Sequence, residues 1–195
     1  PKRLRIIAAD FKGAATFSAL RHLPHFAAVL SNLGESADEV SRLEAAVEGE
    51  YLRRQNLFIS LGVEDVFEYR KLQKSHPEWE DLPAILIVID EFREFVEKDR
   101  HWVKVFEHWG AVLRAYDMHL LLGSQYLDTA VLGDTAQHMH YGFSLKVTNA
   151  QHSNIVLRSP EAVNLPSART ALFRTTDLQD TKWDRVTSFV HSEPY

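Results

Sequence analysis

Two adjacent carboxylates, Asp90 and Glu91, close the apolar run Ile85-Leu86-Ile87-Val88-Ile89, and this is where the sequence offers chemistry. An unbroken run of branched apolar residues reads as a strand buried on both faces of a parallel sheet. The carboxyl end of such a strand opens on the crevice where these sheets bind ligands. There a first carboxylate holds a Mg²⁺ ion through its water shell and the next takes a proton from an attacking water, which is the division of labour of phosphoryl transfer. The alternative is that both acids simply open the following helix, whose dipole favours negative charge.

The elements that must position these acids follow from period and punctuation. Residues 4–9 read as a buried strand, Asp10-Phe11-Lys12-Gly13 as a loop, and residues 26–30 as a second strand entered through Pro24. Over 35–61, Val40, Leu43, Val47, Tyr51, Leu57, Phe58 and Leu61 recur at helical spacing, with Asn32 or Ser36 as cap and Gly62 as stop. A short amphipathic helix carries Val66, Phe67, Tyr69 and Leu72, and the acid-tipped strand begins after Pro83. The spacing of Phe95, Val96, Val103, Phe106, Val112 and Leu113 predicts one long helix over 92–116. A strand over 119–122 then ends in Gly123-Ser124-Gln125. Further strands are predicted over 141–147, 170–174 and 186–190, the last two paired antiparallel at a sheet edge. Helix and strand alternating in this way give a doubly wound α/β domain with a mostly parallel sheet, read as one domain over residues 1–195.

Composition narrows the partners. A net charge of −5, with basic residues adjacent in pairs at most, as at Lys2-Arg3, Arg53-Arg54 and Arg70-Lys71, disfavours nucleic acid as a partner of the whole surface. The absence of cysteine excludes disulfides and thiolate metal sites and fits a reducing compartment. No apolar run is long enough to span a bilayer, so membrane attachment is expected from residues outside this chain. The paired His138 and His140, two apart and without a matching carboxylate, are poor metal ligands, and no metal beyond Mg²⁺ is expected. Trp102 and Trp109 read as core or partner packing rather than a base-stacking platform, and Arg53 and Arg54 as ion-pair partners of neighbouring acids such as Glu50.

With these segments placed, the chain resembles FtsK/SpoIIIE-type P-loop ATPases, and within them the first of the tandem ATPase domains of EccC, the motor of actinobacterial type VII secretion. The motifs are Asp10-Phe11-Lys12-Gly13-Ala14-Ala15-Thr16-Phe17, Gly49-Glu50-Tyr51-Leu52-Arg53-Arg54-Gln55, the Asp90-Glu91-Phe92 strand end, and Leu120-Leu121-Leu122-Gly123-Ser124-Gln125. The closing residues 189–195 resemble the point where that first domain meets its next linker. The resemblance implies the P-loop NTPase fold of the RecA/FtsK kind, with ATP and Mg²⁺ as cofactors. It implies Asp90 as the Mg²⁺–water ligand, Glu91 as general base, Gln125 as a sensor of the γ-phosphate or its water, and Arg42 as a finger on a neighbouring subunit's nucleotide. Lys12 would face nucleotide or the subunit boundary.

The implied partners are neighbouring ATPase domains, identical subunits in a ring, other type VII secretion components and secreted helical-hairpin proteins, at the cytoplasmic face of the membrane. No Gly-x-x-x-x-Gly-Lys-Ser/Thr segment occurs in the chain. The resembled family places it one strand before Leu4, so the expectation is a domain truncated at its N-terminus, inactive alone and part of a longer polypeptide. Tyr126, Ala111, Gly142, Lys146 and Asn154 stand where the family carries arginines or a Gly-Arg pattern, which implies a slow or regulated ATPase. Two rivals remain: a DNA translocase of the same superfamily, and a non-catalytic docking module with a degenerate nucleotide site.

Overall fold

In the computed structural model, strand β1 (Leu4–Asp10) runs parallel to β3 (Ala84–Asp90) in unbroken register, from Leu4 beside Ala84 to Asp10 beside Asp90. The structure describes residues 2–11, 15–34, 36–127, 129–176 and 181–187; Lys12 and the closing segment 188–195 lie outside them. β2 (Phe26–Leu30) flanks β1 and β4 (Met118–Leu122) flanks β3, giving an all-parallel sheet of order β2-β1-β3-β4. On β3, Ile85, Ile87 and Ile89 are buried while Leu86 and Val88 are half-buried, so the second face is covered less completely than the apolar run implies.

A short helical turn, α1 (Ala15–Ser18), follows β1, and the long helix α2 (Ala37–Leu61) follows β2. Of the two candidate caps for α2, Ser36 is used: its side chain accepts from the Glu39 N–H at 3.3 Å. Gly62, at φ 67°, ends the helix by donating to the carbonyls of Phe58 and Ile59, a left-handed stop that costs glycine little. Leu43, Val47, Tyr51, Arg54 and Phe58 form the buried stripe of α2. Helix α3 (Val66–Gln73) is capped by Asp65 and closes a cluster of Phe58, Val63, Val66, Tyr69 and Leu82.

The single helix expected over 92–116 is broken into α4 (Phe92–Lys98), α5 (His101–Val112) and a 3₁₀ turn (Leu113–Tyr116). Asp99 is the cause: its backbone is extended, its N–H still closes on Phe95 O at 3.0 Å, and its Oδ1 accepts from the His101 N–H at 2.9 Å. A short acidic side chain thus competes for the backbone donors that would continue the helix. The break still leaves Phe95, Trp102, Phe106 and Trp109 buried together in an aromatic core, Trp102 and Trp109 as expected.

Asp117, left-handed at φ 57°, joins the 3₁₀ turn to β4. Its carbonyl accepts from Ile85 N–H at 2.9 Å, and its buried carboxylate accepts from Arg70 and, at 3.0 Å, from His119 Nε2. Burial pushes this carboxyl up, but the His119 hydrogen bond and the charges of Arg70, His119 and Arg54 outweigh it and hold it below the ordinary aspartate value. A depressed folded value means stability that is present above the unfolded pKa and lost as pH falls through the folded one. Asp117→Asn, which still tolerates the left-handed backbone, is therefore expected to cost about 1 kcal/mol at pH 7. The difference should shrink toward pH 3, as read by urea denaturation at the two pH values.

The parallel-sheet unit spans Pro1–Gln125, and a second compact unit spans Tyr126–Tyr195. The second holds α6 (Thr129–Leu132), α7 (Thr135–His138), β5 (Tyr141–Leu145), α8 (Ala150–Leu157), a 3₁₀ turn (Glu161–Asn164), β6 (Thr170–Thr176) and β7 (Thr181–Thr187). The hairpin expected at the edge of the parallel sheet belongs instead to a separate antiparallel sheet of order β5-β6-β7; its last strand is described over Thr181–Thr187, and residues 188–190 of the strand expected over 186–190 lie outside the described residues. Helix α8 escaped the sequence reading because only Asn149, accepting from Gln151 N–H at 2.8 Å, marks its start. Gly142 has no room for a side chain: a Cβ there would lie 2.2 Å from Val156 O. Buried Arg174 donates to that same carbonyl at 2.9 Å, so an arginine at position 142 does not fit this packing.

Candidate active site

The site is built by strand ends. Because β1 and β3 are in register to their last residues, buried Asp10 lies beside Asp90; because β4 pairs Leu122 with Ile89, Gly123-Ser124-Gln125 leaves the sheet next to Asp90-Glu91. All of these residues belong to the parallel-sheet unit.

Glu91 does not simply continue into helix α4. Its backbone is left-handed, φ 55° and ψ 48°, a conformation that costs a non-glycine residue about 1 kcal/mol. Three backbone donors hold the turn: Gly123 N–H to Ile89 O at 2.9 Å, Phe92 N–H to Gly123 O at 3.0 Å, and Glu91 N–H to Asp90 Oδ1 at 3.0 Å. A Cβ at Gly123 would stand 3.3 Å from Asp90 Oδ1, a tight contact that the carboxylate would have to ease by a few tenths of an ångström. The Glu91 side chain is buried, and its Oε1 accepts from Ser124 Oγ at 3.0 Å and from the Gln125 N–H at 3.3 Å. The reading of the two acids as a solvated helix start fails for Glu91, which is sequestered rather than solvated.

Electrostatically this is a crowd of carboxylates. Burial first, then the charges of Asp10 and Glu91, push the Asp90 carboxyl above its ordinary value, against the Glu91 N–H and Thr16 hydrogen bonds that favour its ionised form. A divalent cation relieves that repulsion, so the donor set suits one. Among the described residues no three His, Cys, Asp or Glu side chains converge to ligate a metal by themselves. Mg²⁺, which keeps most of its waters and takes further oxygens from phosphate, would suit such a place, and Asp90 is the carboxylate that could hold the hydrated ion.

Of the residues singled out in the sequence, Asp90, Glu91 and Gln125 are brought together here. Gln125 does so through its backbone N–H, while the residue itself is exposed. Arg42 stands on the exposed face of α2. Arg53 and Arg54 pair with Glu50, as expected, at 2.7 and 2.8 Å. Asp10, Thr16 and Ser124 join the site without having been singled out by type or spacing. The signal for Asp10 was present, since an apolar strand ending in an acid occurs twice, at Asp10 and at Asp90.

Residues 1–129 match the FtsK/SpoIIIE family. The chain is 39% identical over 168 residues to the ESX-4 secretion system protein EccC4 of Mycobacterium tuberculosis, covering 86% of this chain and 14% of that protein. It is 34% identical over 167 residues to the ESX secretion system protein EccC of Thermomonospora curvata, covering 85% and 13%. The cytoplasmic domain of the Thermomonospora curvata type VII secretion ATPase EccC superposes with a TM-score of 0.89 at 30% identity, over 100% of this chain and 22% of that one. The pCW3 conjugation coupling protein TcpA, in its monomer form with ATPγS, shares the fold with a TM-score of 0.73 at 24% identity, over 92% of this chain and 51% of its own. The chain thus spans only about a seventh of the curated relatives named here. The matched residues include the whole parallel sheet and the acid pair at its crevice, and the chain belongs to the FtsK/SpoIIIE family.

Proposed function

We propose that this chain supplies the hydrolytic half of an ATPase site in a type VII secretion motor, which binds Mg·ATP and drives or regulates the export of small helical proteins. The observation that carries the reading is the held carboxylate of Glu91 at the end of β3, beside Asp90 and against the turn that ends β4. Likeness to EccC proteins supports the secretion context.

In this reading Glu91 accepts the proton of the water that attacks the γ-phosphorus, and its burial keeps bulk water from competing. Asp90, its charge crowded by Asp10, holds the hydrated Mg²⁺, which when bound neutralises charge developing on the phosphate oxygens. Gln125, whose side chain is exposed, senses the γ-phosphate or its water. Arg42, outward on α2, reaches a neighbouring subunit's nucleotide. If it works in trans, mixing Arg42→Ala protein with Glu91→Gln protein restores turnover that neither shows alone; no recovery removes it from the site. Identical subunits, neighbouring ATPase domains and other secretion components are the proposed partners, at the cytoplasmic face of the membrane. No described helix is long and apolar enough to cross a membrane.

The test is steady-state ATP hydrolysis by the full-length protein and its Glu91→Gln variant. Turnover lost in the variant supports the reading, and equal turnover overturns it. A wild type that binds nucleotide without turning it over is instead a docking module. Duplex DNA that stimulates turnover in a salt-dependent way points to a translocase.

A further inference from the structure

Among the described residues, the donors to the Glu91 carboxylate address one of its two oxygens. Ser124 Oγ–H donates to Oε1 at 3.0 Å and Gln125 N–H at 3.3 Å, both from the turn that ends β4. We infer that Ser124 is a positioning residue for hydrolysis, its hydroxyl fixing the Glu91 carboxylate so that Oε2 is the oxygen left to take the proton. This rests on the proposed reading of Glu91 as general base.

The physical need is clear from the torsions. The left-handed backbone of Glu91 fixes where its Cα–Cβ bond starts, but a glutamate still has three side-chain torsions, and a general base must lie within about 3 Å of its proton. Bonds to the main chain of Glu91 cannot restrain those torsions; a donor to its carboxylate can. The turn that carries Ser124 is itself rigid, because Gly123 bonds Ile89 O through its N–H and accepts from Phe92 N–H through its carbonyl. Ser124 is partly buried and Glu91 is buried, so water competes poorly for this bond. Alanine at 124 removes the side-chain anchor and leaves the backbone donor of Gln125, whose geometry is the longer of the two. Threonine keeps the hydroxyl.

In the full-length protein, Ser124→Ala is expected to lower kcat about tenfold, with KM for ATP and the affinity for a non-hydrolysable ATP analogue unchanged. Ser124→Thr should recover most of the loss, and Ser124→Ala should add nothing to Glu91→Gln. An unchanged kcat, or one that rises because the hydroxyl had held Glu91 away from its water, overturns the inference. So does a loss that appears in KM. A second measurement stands apart from turnover: urea unfolding of Ser124→Ala, Glu91→Ala and the double variant. Effects that add overturn the coupling; a double variant no less stable than Glu91→Ala supports it. Should the wild type show no turnover, or Glu91→Gln retain it, the general-base reading fails, while the unfolding cycle still decides whether Ser124 holds Glu91.

Discussion

Replacing Glu91 by glutamine in the full-length protein is expected to lower kcat by a factor of about 10² to 10⁴, the usual worth of a positioned general base. Nucleotide affinity and melting temperature should stay near those of the wild type. The substitution separates chemistry from structure because glutamine keeps an oxygen where Oε1 accepts from Ser124 and from the Gln125 N–H. It also leaves the backbone bonds that impose the left-handed turn, which do not involve the side chain. What disappears is the acceptor for a proton, since an amide oxygen is a negligible base at neutral pH. Glu91→Ala is a weaker probe, because it also removes the partner of a half-buried hydroxyl and mixes a stability cost into the rate. The measurements are kcat and KM by steady-state hydrolysis, analogue affinity and thermal melting on the same preparations. A glutamine variant within threefold of wild-type kcat would remove Glu91 from the chemistry and leave its burial as a packing feature.

How much of this was legible in the sequence depends on what each feature obeys. The strand and its acids were legible because an apolar run between Pro83 and Asp90 has few other readings, and α2 because Ser36 and Gly62 are chemically suited to its two ends. The interruption at Asp99 was not, because Phe95, Phe106 and Leu113 stay buried across it and the apolar period barely registers the break. The pairing of Asp10 with Asp90 is a matter of register between strands eighty residues apart, which neither strand's own pattern encodes. Nor does a glutamate announce a left-handed backbone, a region that glycine and asparagine favour. That conformation is imposed by the crossed bonds between the Glu91 turn and Gly123, and so by tertiary structure alone. Arg54 shows the same limit from the other side. Its pairing with Glu50 followed from helical spacing, yet its place on the buried stripe, and the two carbonyls it reaches, did not.

Those carbonyls give Arg54 the largest expected effect on stability. The residue is fully buried, and its guanidinium donates to Glu50 Oε1 at 2.8 Å, Tyr116 O at 2.7 Å and Pro83 O at 2.8 Å. Pro83 immediately precedes β3 and Tyr116 closes the 3₁₀ turn before β4, so one side chain of α2 ties down the entrances of the two strands whose far ends carry the site. Arg54→Ala leaves two partly buried carbonyls and a partly buried carboxylate short of a donor, and opens a cavity as well. The expected cost is about 3–5 kcal/mol, or a fall in Tm of roughly 10 °C. Arg54→Lys should recover only a fraction, because a point charge on a flexible stem cannot address three acceptors in fixed directions. Arg54→Met decides between packing and hydrogen bonding. It refills much of the volume while leaving the same acceptors stranded, so it should remain several kcal/mol below the wild type in urea denaturation. A methionine variant as stable as the wild type would mean that the cluster relaxes around an apolar side chain, as some buried ion pairs do. The pH dependence gives an independent check on the same contact. Burial pushes the Glu50 carboxyl up, but hydrogen bonds and charge from Arg53 and Arg54 bring it below the ordinary glutamate value. That contribution is present above the unfolded pKa and disappears as pH falls through the folded one. The gap between wild type and Arg54→Met should therefore narrow on acidification, while the part due to the stranded carbonyls, which do not titrate, persists.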